Sequence, residues 1–230
     1  MMKPIPGLGV VIAAGGSSSR YGESNKLFEK LDDLPVFLHS IRNFAPVVAA
    51  GSFVLVIPGQ WRADYDALLE AYLPEIKVTL VSGGANRTES VKNGLKALPE
   101  DTRIVAIHDA ARPLADIDLL CALVETVQRE NCGAIAAGKM VDSVCRSGEG
   151  DFISESVPRE NLWRIQTPQV FPYCELCHVY ETLGDAAYTD DSAAFRACGF
   201  AVKVCDNPKA NMRLTYKEDL PLLSYLLKNK

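Results

Sequence analysis

An α/β fold, with a Rossmann-like, mostly parallel sheet, helices on both of its faces and a β-hairpin arm, is what this sequence predicts. Three observations carry the prediction: short apolar runs rich in β-branched residues, amphipathic stretches alternating with them, and a change of rhythm after residue 138. The runs are residues 9–14, 53–58, 76–81, 103–108 and 133–138. They lack strict alternation, as strands covered on both faces do. The helical candidates between them are residues 35–45, 61–72, 87–98 and 116–130. Strand and helix alternating at this spacing imply crossover connections and a parallel sheet.

Beyond residue 138 the segment MVDSVCRSGEGDFISESVP reads as two short strands around a Gly-Glu-Gly turn. A two-stranded arm is marginal alone in water, so it is expected to pack on the same arm of a second copy, giving a homodimer. The chain then returns through LWRIQTPQVF to helices at 172–183 and 190–198, a strand at 201–206 and a final helix, for which Thr215-Tyr216-Lys217-Glu218 has capping-box spacing. No linker or repeat divides residues 1–230, which are expected to form one domain with the arm at about 139–160.

Composition sets the limits. The chain has 230 residues, 48% hydrophobic, with 24 basic and 29 acidic side chains and a net charge of -5. A chain of this length makes its core without disulfides or a structural metal. The acidic balance argues against nucleic acid as a partner. The apolar run near the N-terminus is too short for a signal-peptide core or a membrane span, so a cytoplasmic protein is expected. The seven cysteines are an odd number, and Cys121, Cys132, Cys198 and Cys205 stand in apolar company as buried thiols would. Cys174-Glu175-Leu176-Cys177-His178 spells a haem-attachment pattern, but it follows Phe171-Pro172 and reads more simply as the first turns of a helix.

Ligands of open parallel sheets bind beyond the carboxyl ends of the strands. After the first strand come Ala13, Ala14, Gly15, Gly16 and Ser17, then Arg20 and Lys26. Small residues let backbone amides converge on an anion and the two cations add charge, so the loop reads as a triphosphate cradle, although it has neither Walker nor dinucleotide spacing. After the third strand, Ser82-Gly83-Gly84-Ala85-Asn86-Arg87-Thr88-Glu89-Ser90 allows close approach to a flat base, with Ser90 opening a helix; the plainer reading is a helix start capped by Ser82 or Asn86. After the fourth, His108-Asp109-Ala110-Ala111-Arg112-Pro113 offers a carboxylate suited to Mg²⁺, with Arg112 available to a phosphate and His108 read as a core residue.

Together, A-A-G-G-S-S-S-R with its following lysine, S-G-G-A-N-R-T-E-S-V, H-D-A-A-R-P, V-D-S, P-R-E-N-L-W-R-I-Q-T-P-Q and T-D-D-S resemble the 2-C-methyl-D-erythritol 4-phosphate cytidylyltransferases of the non-mevalonate isoprenoid pathway, in order from about residue 8 to 222. The resemblance implies a nucleotidyltransferase in which Arg20 and Lys26 are catalytic cations and Asp109 holds the divalent cation. It places Ala13, Ala14, Gly84, Ala85 and Ser90 around cytosine, with Arg87 holding that loop. It places Arg112, Ser143, Arg159 and Thr167 around the phosphorylated polyol, the arm's residues reaching a partner's site. Where the family usually has lysine in a late N-x-K-x-T element, this chain has Arg213, which keeps the charge but not the compact geometry. Ser143 stands where threonine is frequent, and Ala210 where a carboxylate often precedes the asparagine. The first loop has one more residue before Arg20 and one fewer before Lys26, preserving the distance from Gly15. A cytidylyltransferase for ribitol 5-phosphate and a non-catalytic nucleotide-binding protein are the competing readings.

Overall fold

The computed structural model describes the chain except for residues 1, 16–20, 22–24, 185–187 and 230. Its seven-stranded sheet is built from β1 (Leu8–Ala13), β4 (Phe53–Ile57), β5 (Val78–Ser82), β6 (Ile104–Asp109), β7 (Gly133–Lys139), β10 (Trp163–Pro172) and β11 (Val202–Asp206). The spatial order is β11-β7-β10-β6-β1-β4-β5. All neighbours run parallel except β10, which is antiparallel to both β6 and β7. The α/β prediction therefore holds, with strand bounds one or two residues from those expected. β10 is reversed because β7 and β10 are the two stems of one long hairpin, and a hairpin's strands are necessarily antiparallel.

The helices are α1 (Val36–Phe44), α2 (Arg62–Tyr72), α3 (Arg87–Lys96), α4 (Ile117–Glu130), α5 (Tyr173–Thr182), α6 (Asp191–Ala197) and α7 (Asp219–Lys228). They cover both faces. On one, Val10 and Ile12 of β1 meet Phe37 and Ile41 of α1, Tyr65 of α2, Leu123 of α4 and Leu223 of α7. On the other, Val11 meets Val91 and Leu95 of α3, Val179 of α5 and Phe195 of α6. Successive residues of a strand point to opposite faces, so one short apolar run serves two cores.

The arm consists of β8 (Val144–Ser147) and β9 (Ile153–Val157), paired antiparallel. Its tip turns through Gly150 at φ 68°, a conformation that glycine adopts without steric cost. Phe152 and Ile153 beside the tip are 79% and 71% exposed.

Three sequence expectations need correction. α7 begins at Asp219, not at a capping box on Thr215; instead the Asp219 carboxylate accepts from the amides of Thr215 and Tyr216, each at 2.8 Å. A start at Thr215 would put Pro221 in the helix interior, where it removes a hydrogen bond, whereas the later start keeps it in the first turn. A two-residue hairpin, β2 (Lys30–Leu31) with β3 (Leu34–Pro35), went unforeseen; it turns on Asp32 and Asp33 at φ 46° and 64°. Finally, the cysteines are free thiols, but Cys121, Cys132, Cys198 and Cys205 are half-buried rather than buried. Cys174 and Cys177 lie in the first turns of α5, as the helical reading of that segment expected.

Candidate active site

The rim of the sheet is assembled from the ends of β1, β4, β5 and β6. Ala13 lies in register with Val56 and Asp109, and the Ala14 amide donates to the Val56 carbonyl at 2.8 Å. Gly15 follows, and a Cβ placed on it would stand 3.7 Å from Ser90 Oγ, so the first loop passes beside the third. Gly16, Ser17 and Arg20 lie outside the described residues.

At the start of α3, Asn86 rather than Ser82 is the cap: its Oδ1 accepts from the Glu89 amide at 2.8 Å, while Glu89 Oε2 accepts from the Ala85 amide at 2.7 Å. This reciprocal pairing satisfies donors that a helix N-terminus otherwise leaves open. Ser90 sits in the first turn of α3 rather than opening it; its hydroxyl donates to the Asn86 carbonyl at 2.8 Å and accepts from the Gly84 amide at 3.0 Å. Gly84 has no room for a side chain, since a Cβ would come within 2.3–2.5 Å of Glu89 atoms. The plain capping reading therefore holds, with Asn86 as the cap.

Asp109 ends β6 with its carboxylate 16% exposed. Its Oδ2 lies 3.5 Å from the Nε atoms of both Arg112 and Arg213. Burial opposes the charge, but the guanidinium groups of Arg213, Arg87 and Arg112 outweigh it and hold the carboxyl below its ordinary range. The Asp109 amide donates to Thr167 Oγ1 at 3.0 Å, leaving the Thr167 hydroxyl to donate to His108 Nδ1 at 3.1 Å. His108 Nε2 lies 3.2 Å from the Arg112 carbonyl, which only accepts, so that nitrogen carries the proton. Burial, with Arg112 nearby, pushes His108 down to about 4, and it is a neutral core residue as expected.

The segment 211–214 closes the site. Leu214 donates through its amide to the Ala111 carbonyl at 2.8 Å, and its own carbonyl accepts from Lys26 Nζ at 2.9 Å. Arg112 Nη1 donates to the Asn211 carbonyl at 2.8 Å. Lys26, Arg112, Arg213, Asp109 and Thr167 are therefore gathered around one rim. Beside them a cavity of about 550 Å³ is lined by Arg112, Arg164, Gln166, Lys209, Asn211 and Arg213. Buried amides form its floor: Gln166 Oε1 accepts from Asn207 and Asn211, and Asn211 also donates to the Thr167 carbonyl at 2.9 Å. Ser143 and Arg159 stand elsewhere, exposed at the base of the arm, with Arg159 donating to the Val141 carbonyl.

Sequence reasoning missed the partners of these residues. Arg87 does more than stiffen its own loop: it forms a two-point pair with the fully buried Asp191, which also accepts from the Tyr180 hydroxyl. The only sequence signal for Asp191 was its place in T-D-D-S. Gln166 and Asn211 stand in the Q-T-P-Q and late N-x-R-x-T elements, but nothing in the sequence signals that they meet each other or Asn207, because amides 41 and 45 residues apart become neighbours only in the fold.

A small-residue loop at the end of β1, a capped loop after β5 and a carboxylate among cations after β6 define a nucleotidyltransferase on a doubly wound sheet. The family model for 2-C-methyl-D-erythritol 4-phosphate cytidylyltransferase, IspD, matches residues 8–229, and the chain belongs to that family. It is 32% identical over 233 residues to the 2-C-methyl-D-erythritol 4-phosphate cytidylyltransferase of Alkaliphilus oremlandii, covering 100% of this chain and 98% of that one. To the enzyme of the same description from Bacillus velezensis it is 33% identical over 223 residues, covering 95% of each. The crystal structure of 4-diphosphocytidyl-2C-methyl-D-erythritol synthase from Anaerococcus prevotii superposes with a TM-score of 0.81 at 25% identity, covering 96% of this chain and 98% of that one. Among the described residues no helix is long and apolar enough to cross a membrane.

Proposed function

We propose that this chain transfers the cytidylyl group of CTP to 2-C-methyl-D-erythritol 4-phosphate, releasing pyrophosphate and forming 4-diphosphocytidyl-2-C-methyl-D-erythritol. The observation that carries the reading is the juxtaposition of Asp109, Arg112, Arg213, Thr167 and Lys26 beside the point where the loops of Gly15 and Ser90 approach each other. The pyrimidine is assigned to these two loops, to the Ala13, Ala14, Gly84 and Ala85 backbone and Ser90. The cation-lined cavity suits the phosphorylated polyol.

The nucleophile is a phosphate oxygen of the polyol phosphate. Its second pKa is near 6, so it is largely ionised at neutral pH and needs no general base. That suits a rim whose histidine is neutral and fully buried. The new bond joins this oxygen to the α-phosphorus of CTP; the bond to the β-phosphate oxygen breaks, and its electron pair leaves with pyrophosphate. What the protein supplies is position and positive charge at an encounter of two anions. Arg20 and Lys26 are assigned to the triphosphate and Arg213 to the incoming phosphate, with Arg112 and Thr167 orienting the polyol.

A divalent cation, Mg²⁺, fits Asp109, a carboxylate at a strand end that neighbouring guanidinium groups keep ionised despite its burial. Mg²⁺ binds through one or two carboxylates together with phosphate oxygens and water. When bound it would neutralise phosphate charge, and Asp109 is the residue that would hold it.

The whole chain acts as one unit, and the exposed Phe152 and Ile153 on the arm support a homodimer in which Ser143 and Arg159 serve the partner's site. Pyrophosphate release over a panel of CTP, UTP and ATP against methylerythritol phosphate and ribitol 5-phosphate tests the reading. Turnover with CTP and methylerythritol phosphate is expected; preference for ribitol 5-phosphate, or CTP binding without turnover, overturns it.

A further inference from the structure

Asp191 is the first residue of α6 and has no solvent exposure. A carboxylate taken wholly out of water persists only if both oxygens are paired. Here Oδ1 accepts from Arg87 Nη1 at 2.9 Å and from the Tyr180 hydroxyl, and Oδ2 accepts from Arg87 Nη2 at 2.5 Å. The arrangement is fork to fork, which fixes the guanidinium in plane as well as in place. The Asp191 carboxylate outweighs burial in keeping Arg87 charged, and that charge is felt at Asp109.

What the pair holds is more informative than the pair itself. Arg87 is the first residue of α3, directly after the cap Asn86 and the Gly83–Ala85 loop, and three residues before Ser90. Asp191 and Tyr180 belong to α6 and α5, which share α3's face of the sheet. The contact therefore ties the loop facing the base, through the first side chain of α3, to two helices about a hundred residues away.

We propose that Asp191 is a positioning residue for the nucleotide: by locking Arg87 it sets the first turn of α3, and with it the Gly84 and Ala85 backbone and the Ser90 hydroxyl, against the β1 loop. This rests on the cytidylyl-transfer reading. Asp191 itself touches no substrate. Losing its charge frees the loop and weakens the cytosine pocket, while the Arg112 and Arg213 contacts to Asp109 and the polyol cavity remain.

The test uses the full-length chain and the variants Asp191→Asn, Arg87→Lys and the double variant, with CTP affinity measured by calorimetry alongside steady-state kinetics. Residues that act on a ligand without touching it change its affinity by about 2- to 30-fold; a rise in Kd and KM for CTP of about tenfold is expected, with KM for methylerythritol phosphate changing less than about twofold. The double variant should be no worse than the worse single one, because both remove the same clamp. Tyr180→Phe, which keeps the ion pair, provides a milder variant should Asp191→Asn fail to fold, and should shift CTP alone by a few-fold. Equal changes in both KM values, or unchanged CTP affinity in a folded variant, overturn the proposal. Wild-type protein that binds CTP without turnover overturns the cytidylyl-transfer reading instead, and the calorimetric comparison still decides the role of Asp191.

Discussion

Lys26 is anchored at the rim by a main-chain acceptor. Its Nζ donates to the Leu214 carbonyl, beside Arg213 and within the same cluster as Asp109, so its charge is delivered to the rim by a main-chain acceptor. Lys26→Ala should lower kcat by a factor on the order of 10² to 10³, the range for losing one stabiliser of a developing anion, in a pyrophosphate-release assay with an unchanged thermal transition. Turnover within a few-fold of wild type would remove Lys26 from the machinery. His108 gives a pH prediction. Its folded pKa, about 4, lies below the unfolded value of about 6.5. The neutral form is the one that the fold keeps, so its contribution is complete above pH ~6.5 and is lost as pH falls from there towards 4. The amount is on the order of 3 kcal/mol. An NMR titration of the imidazole should show no protonation at pH 5.5; a midpoint near 6.5 would contradict the buried network in which Nδ1 meets the Thr167 hydroxyl and Nε2 lies 3.0 Å from Ser40 Oγ and 3.2 Å from the Arg112 carbonyl.

At the scale of elements, α3 is the piece on which the site turns. It lies close against the sheet because Gly94 faces it: a Cβ there would come 2.6 Å from Val11 Cγ1 and 2.8 Å from Val56 Cγ2, both on fully buried residues. Gly94→Ala gains about 1 kcal/mol of helix propensity but overpacks the core by about 1–3 kcal/mol, so a net loss of up to about 2 kcal/mol is expected. Urea unfolding should show a lower midpoint at constant slope. A stabilised variant would mean that α3 stands off the sheet. The same helix shows why sequence reading succeeds locally. Asn86 and Glu89, three residues apart at the start of a periodic stretch, are legible as a helix start. The Thr215 to Glu218 spacing was equally legible and misleading, because Pro221 decided where α7 begins.

For the molecule as a whole, the arm is the part the core does not explain. A two-stranded ribbon with Phe152 and Ile153 in solvent is a poor monomer surface and a reasonable interface. Phe152→Glu should shift the oligomer towards monomer in light scattering and raise KM for methylerythritol phosphate more than for CTP, because Ser143 and Arg159 travel with the arm. Arg159→Ala should reproduce the kinetic effect without dissociating the proposed homodimer. A monomeric wild-type protein with full activity would end this account of the arm.

The sequence by itself determined the α/β class, the strand runs, the arm and the rim loops after β5 and β6, because each rests on residues near one another in the chain: apolar runs, Gly-rich turns, and a carboxylate at a strand end. It also marked Asp109, Arg112, Lys26 and Ser90 as candidates, the first three of which the fold brings to one rim. Only the tertiary structure decided what surrounds them. The reversal of β10, the pairing of Asp109 with Arg213, the amide floor of Gln166, Asn207 and Asn211, and the Arg87–Asp191 clamp all join distant segments. Such contacts arise from where the sheet order sets each strand end, and no local pattern of residues encodes that order.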